Sequence, residues 1–294
     1  MINYNWEKVF NACVEQLKHY ITKNNLKSMV LGVSGGIDST VVAAIANKVS
    51  NDTKIPLIGF SLPSSTNHFS EKLVANEVLK NFCTYYFTKS INTEFQVVNK
   101  ESELLLSCIP TNKLQLGKLQ EGNMKARLRM LYLYHIASST HGIVLDTGNL
   151  SEKLLGFWTL HGDEGDCSLL SPLYKTEVYK LAEWIKENYC NPEQAEALGK
   201  SIDLTPTDGN GVTLGGDMDQ IAPGYTYNEV DIILRAYIDL FHVPRSGKHL
   251  ENKIKADNPE LPEELINNII NRIAKSDYKR IGLPINTDLK NCHD

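Results

Sequence analysis

Ser34-Gly35-Gly36-Ile37-Asp38-Ser39 brings two glycines, two hydroxyls and a carboxylate into one short stretch. It follows the apolar run Met29-Val30-Leu31-Gly32-Val33, which reads as a buried strand, and precedes Thr40-Val41-Val42-Ala43-Ala44-Ile45, which reads as the start of a helix. The glycines therefore fall at a strand-to-helix turn. Without Cβ atoms they permit positive φ and close approach of a ligand to the main chain, and N–H groups at a helix start favour an anion. A phosphate-binding loop of the G-x-x-x-x-G-K-[ST] kind needs a lysine where Ile37-Asp38 stands, so γ-phosphoryl transfer on such a loop is disfavoured. Asp38 beside phosphates calls for a bridging divalent cation, Mg²⁺ by chemistry. The competing reading is a Ser34 or Asp38 that only caps a helix; strand, loop and helix in sequence weigh against it.

LGVSGGIDST resembles the pyrophosphate loop of the N-type ATP pyrophosphatases, which cleave ATP to AMP and pyrophosphate while adenylating a substrate oxygen. That resemblance implies the chemistry and leaves the substrate open.

The elements that must position this loop follow from the wider pattern. Apolar residues at helical spacing from Trp6 to Ile21 predict an opening amphipathic helix. Strands are predicted at 55–62, 84–87 and 142–147, with helices at 71–81 and 122–139 between them. Alternating strands and helices predict an α/β fold, a Rossmann-like open parallel sheet with helices on both faces. Ligands then gather at the carboxyl ends of the strands. Beyond Thr176 the pattern turns helical, with candidates at 176–188, 228–240 and 262–276. Between them residues 205–227, with DGNGVTLGGD, are too glycine-rich for a regular element and read as a functional loop, a lid by this reasoning. No composition shift marks a linker, so one domain with a helical C-terminal part is expected over 1–294.

Composition narrows the class. In 294 residues, 30 basic and 35 acidic side chains leave a net charge of −5, which offers no general attraction for nucleic acid. No apolar run approaches a membrane span and MINYNWEKVF does not read as a signal peptide, so a cytoplasmic protein is expected. Six cysteines without a C-x-x-C pair read as reduced thiols.

Further segments point to the substrate. Thr147 and Glu152 follow a predicted strand and could add a hydroxyl and a second carboxylate to the nucleotide site. Asn149 or Ser151 capping the next helix is the alternative there. Gly122-Asn-Met-Lys-Ala-Arg127-Leu-Arg129-Met130, Gly156-Phe-Trp-Thr-Leu160-His-Gly-Asp163, Asp166, Lys175, Pro206-Thr207 and Tyr278-Lys279-Arg280 stand in the order and spacing of conserved stretches of NAD synthetases. The chain resembles the ammonia-using members of that family. The resemblance implies ATP-dependent amidation of nicotinic acid adenine dinucleotide (deamido-NAD) to NAD through an acyl-adenylate. ATP would lie on Gly32, Val33, Ser34, Gly35, Gly36, Ile37, Asp38 and Ser39, touching Thr147 and Thr207. Asp38 and Glu152 would hold Mg²⁺, Lys175 would stabilise charge at the α-phosphorus and Asp163 would contact ammonia. Arg127, Leu160, Asp166, Tyr278 and Lys279 would lie on the acid's side.

Three departures fall on that side: Leu160 replaces the usual lysine, Tyr278 the usual histidine, and GDEGD is one residue short. Nicotinic acid mononucleotide or another carboxylate is the alternative acid, and a non-catalytic nucleotide-binding protein the alternative class. The chain has no spare length for a glutamine-hydrolysing domain, so free ammonia is expected. The family resemblance also implies a homodimer.

Overall fold

A computed structural model describes residues 4–110, 116–207, 209–213, 216–241 and 247–280. Cys292 and the loop positions 208, 214 and 215 lie outside the described residues. The elements run, in chain order, α1 Trp6–Lys23, β1 Ser28–Gly32, α2 Ile37–Thr53, β2 Leu57–Ser61, α3 Phe69–Phe82, β3 Tyr85–Thr88, α4 Asn92–Ser107, α5 Lys118–Ser139, β4 Gly142–Asp146, α6 Leu150–Leu155, β5 Cys167–Ser168, α7 Lys175–Asn188, α8 Pro192–Asp203, α9 Asp217–Ile221, α10 Tyr227–Phe241, α11 Gly247–Asp257 and α12 Glu263–Lys275. A 3₁₀ turn, Asp277–Lys279, follows.

The strands form one parallel sheet in the order β3-β2-β1-β4-β5. Met29 and Leu31 of β1 point to one face and Val30 to the other, and all three are fully buried because helices cover both faces. On the first face α1, α2, α3, α7 and α8 pack against Met29, Leu31, Leu57, Ile143 and Leu145. On the second, Leu128, Leu133 and Ala137 of α5 and Ile91 cover Val30, Ile58 and Val144. A separate cluster joins α6, α10, α11 and α12 through Leu155, Val230, Ile233, Ile254, Ile266 and Ile269.

β1 pairs with β2 on one side and with β4 on the other. The chain thus changes direction across the sheet at β1, and the crevice opens where the loops after β1 and β4 diverge.

Two expectations are corrected. The helix expected from Gly122 begins at Lys118, with Gln120 closing its first turn on the Gly117 N–H. Gly122 lies inside it because a Cβ there would stand 3.0 Å from Val212 Cγ2 and 3.1 Å from Asn210 Cβ. It is a contact glycine, not a boundary. The segment 205–227 is not devoid of regular structure: it holds α9, and Tyr227 already belongs to α10. Helices α4, α8 and α11 were not anticipated, although Asn191-Pro192-Glu193-Gln194 is a capping box with proline at the first helical position. Among the described residues no helix is long and apolar enough to cross a membrane, and Cys13, Cys83, Cys108, Cys167 and Cys190 are free thiols.

Candidate active site

The loop after β1 is shaped by its own serines. Ser34 Oγ accepts from the Gly36 N–H at 3.1 Å, and Ser39 Oγ donates to the Gly36 carbonyl at 3.0 Å and accepts from Ser34 N at 3.3 Å. Gly35 adopts φ +92° and turns onto α3, while Gly36, at φ −70°, caps α2. The loop edges a cavity of about 490 Å³.

Gly32, Val33, Ser34, Gly36, Ile37, Asp38, Ser39, Thr147, Glu152, Asp163, Lys175 and Thr207 all line that cavity. Three local devices bring them together. Asn149 caps α6, its Oδ1 accepting from Glu152 N at 3.0 Å, so the capping anticipated there is real. Its Nδ2 meanwhile donates to Asp38 Oδ1 at 3.0 Å, tying the β4 loop to the β1 loop. Lys175 opens α7: its backbone N–H donates to Ser151 Oγ at 2.9 Å, and Thr176 N donates to Asp231 Oδ2 at 2.9 Å. Asp231, 1 % exposed, also accepts from Ser151 Oγ. The helical C-terminal part thereby fixes the start of α7.

Lys175, only 2 % exposed, places Nζ against Asp38 Oδ2 and 3.2 Å from Glu152 Oε1. Burial pulls the ammonium pKa down, but Asp38 and Glu152 outweigh it and hold it well above the ordinary lysine value. Burial pushes the Glu152 carboxyl up, against the opposing pull of Lys175. Among the described residues no group of three or more His, Cys, Asp or Glu side chains is placed to hold a metal. Two hard oxygen donors on one cation are what the structure offers, and that is how Mg²⁺ is held when phosphates and water complete its shell.

The residues expected on the acid's side are not gathered on this cavity. Arg127 Nε donates to the Leu160 carbonyl at 3.2 Å, and Asp166 Oδ2 accepts from Val144 N at 2.9 Å. Lys279 Nζ donates to the Gly156 and Trp158 carbonyls and so braces the turn that carries Trp158 into the cavity wall. Tyr278, 55 % exposed, borders a second cavity with Arg272 and Lys275.

Sequence reasoning placed Lys125 and Arg129 in the 122–130 family stretch without giving either a role, and did not mark Asn210 or Glu71. Lys125 Nζ donates to the Asn210 carbonyl at 3.0 Å, and Arg129 donates to Asn210 Oδ1 at 2.6 Å and to the Leu62 carbonyl at 3.0 Å. Glu71 accepts from Thr207 Oγ1 and, at 3.1 Å, from His68 N at the start of α3. Thr207 and Asn210 are thus fastened at the cavity wall from α3 and α5. Lys125 and Arg129, four apart on one helix, were the available signal.

Residues 9–282 match the NAD synthase family. The chain belongs to that family. It is 31 % identical over 228 residues to the NH(3)-dependent NAD(+) synthetase of Syntrophomonas wolfei, covering 77 % of this chain and 83 % of that one. It is 30 % identical to the Thermococcus sibiricus protein of the same name over 98 % of this chain and 100 % of that one. A solved NMN synthetase from Francisella tularensis superposes with a TM-score of 0.75 over 97 % of this chain and 100 % of that one, at 23 % identity, and so bears on the fold alone. For an NAD synthase the carboxylate–lysine cluster at the β1/β4 crevice sits where an open parallel sheet places its ligands.

Proposed function

We propose that this protein amidates deamido-NAD to NAD with free ammonia at the expense of ATP. The observation that carries the reading is the convergence of Asp38, Glu152 and Lys175 beside the glycine loop, in a chain aligned nearly end to end with ammonia-dependent synthetases. A carboxylate is a poor acyl donor because oxide leaves badly, so the acid's oxygen attacks the α-phosphorus of ATP and the bond to the β-phosphate oxygen breaks. Pyrophosphate departs on Gly32, Val33, Ser34, Gly36, Ile37 and Ser39, the main-chain cradle at the start of α2, while Gly35, expected among them, turns away onto α3. Asp38 and Glu152 are the residues that would hold Mg²⁺, which when bound would supply charge neutralisation for the leaving pyrophosphate. Lys175 brings its positive charge to the α-phosphorus, where negative charge builds. Thr147 and Thr207 hold the nucleotide. Ammonia then attacks the acyl carbon, AMP leaves, and the surplus proton on nitrogen passes outward, with Asp163 on the cavity wall as its acceptor. No enzyme nucleophile is needed, and the 205–207 and 209–213 segments keep water from the acyl-adenylate.

A second acid has its own support. Arg127 spends Nε on Leu160, and Asp166, Tyr278 and Lys279 stand off the cavity, so among the described residues the grip expected on a second nucleotide is not assembled. Nicotinic acid mononucleotide, which needs no such grip, is the alternative. With ATP, Mg²⁺ and ammonium, deamido-NAD is expected to drive release of AMP and pyrophosphate at least about tenfold more efficiently than the mononucleotide, a difference of about 1.4 kcal/mol. The reverse ranking would replace the substrate, and no acid-dependent pyrophosphate would leave only a nucleotide-binding protein.

A homodimer accounts for the bare face of the molecule. At the sheet edge Tyr85, Tyr86 and Phe87 of β3 are 57, 49 and 56 % exposed, α4 buries none of its residues, and Leu105 is 71 % exposed. Adjacent aromatic and aliphatic groups of this kind mark an interface. Leu105→Asp with Tyr86→Lys is expected to halve the mass found by sedimentation; an unchanged mass would remove this face as the interface.

A further inference from the structure

All four carboxylate oxygens of Asp38 and Glu152 are engaged by donors of the protein itself. Lys175 Nζ reaches Asp38 Oδ2 and Glu152 Oε1, Asn149 Nδ2 reaches Asp38 Oδ1 at 3.0 Å, and Asn149 N reaches Glu152 Oε2 at 3.3 Å. The ammonium therefore stands where a cation shared by the two carboxylates must stand. Oxygen-to-Mg²⁺ distances of about 2.1 Å would put such an ion against Nζ, and two like charges do not share that space. Lys175 has somewhere else to go. Its Nζ lies 5.5 Å over the Tyr227 ring, whose face attracts cations, and the phosphate loop borders the same cavity. Tyr227 is 7 % exposed, with its hydroxyl unpaired among the described residues, so the ammonium has a polar, aromatic wall beside it.

We propose that Lys175 is a resident counter-ion that keeps the Asp38–Glu152 pair closed to a free divalent cation, and that the metal enters only with a polyphosphate that draws the ammonium away. The order of binding is then set by the site: metal and nucleotide arrive together, and the lysine is delivered to the phosphate by the same event that admits the metal. This role rests on Asp38 and Glu152 being the metal pair.

Manganese(II) is the probe, followed by electron paramagnetic resonance and by melting temperature rather than by turnover. Wild-type protein without nucleotide is expected to bind Mn²⁺ at least about tenfold more weakly than Lys175→Met, which removes the charge and keeps the stem, while Lys175→Arg stays weak. The α,β-methylene analogue of ATP is expected to bring Mn²⁺ onto the wild type. Wild-type protein that binds Mn²⁺ as tightly as Lys175→Met, or that melts higher with Mn²⁺ alone, overturns the counter-ion role. The melting test needs no variant and stands even if Lys175→Met folds poorly. Tight Mn²⁺ binding by the free wild type leaves the ligase reading intact, whereas wild type without acid-dependent pyrophosphate release sinks that reading separately.

Discussion

Asp38→Asn lowers kcat by roughly a thousandfold, about 4 kcal/mol of transition-state stabilisation, while the KM for the acid moves by no more than about threefold. The reasoning starts from shape. Asparagine keeps the volume and can still accept from Asn149 Nδ2, so the tie between the β1 and β4 loops survives. What goes is one of the two carboxylates in contact with Lys175 and half of the proposed metal pair. Charge at the α-phosphorus and on the leaving pyrophosphate develops only in the reaction, which is why kcat carries the loss and the acid's KM does not. Lys175 is left buried with only Glu152 in ion-pair contact, so some loss of stability accompanies the change. Rates are therefore read well below the variant's melting temperature. A variant within tenfold of wild-type kcat would remove Asp38 from the metal pair.

The same cluster shows what a sequence reveals of a site and what it hides. The parallel sheet, its first four strands and the strand ends where the site lies were legible because strand and helix periods differ and the glycine loop sits at their junction, whereas α4, β5, α8 and α11 were not. Asp38, Glu152 and Lys175 could be picked out by residue type and family spacing, yet their contact spans 137 positions and depends on Asn149, whose capping role and cross-loop bond coincide in one side chain. Asp231 and Tyr227 set Lys175 from α10, far along the chain, and carried no local signal. Gly122 misled because a glycine that lets a loop approach a helix looks like a glycine that ends one. The acid's site stayed the least legible, for Arg127, Asp166 and Lys279 bond to backbone groups in this chain while Tyr278 is exposed, and side-chain type does not foretell that.

Gly35→Ala and Gly36→Ala separate the folding of the phosphate loop from its use. The two residues are neighbours with the same lack of a side chain, yet the backbone treats them differently. Gly35 stands at φ +92°, and a Cβ there would lie 2.5 Å from the Glu71 carbonyl oxygen and 3.0 Å from Ala75 N, both main-chain atoms of α3. Neither can yield without moving the helix, and Glu71 also holds Thr207 and the first turn of α3. Backbone strain and the clash together cost about 3 kcal/mol or more, expected as a fall in melting temperature of roughly 5–10 °C. Gly36 sits at φ −70°, which alanine adopts freely, and its Cβ would meet only Ser34 Oγ at 3.3 Å, a side chain that rotates. Its stability is expected to stay within about 1 kcal/mol of wild type. But Gly36 borders the cavity and Gly35 does not, so the added methyl stands where phosphate must approach the main chain. Gly36→Ala is accordingly expected to melt like the wild type and bind ATP at least about tenfold more weakly, about 1.4 kcal/mol by calorimetry. Equal melting losses in the two variants would contradict the seating of Gly35 on α3, and undiminished ATP affinity in Gly36→Ala would move the phosphates off this loop.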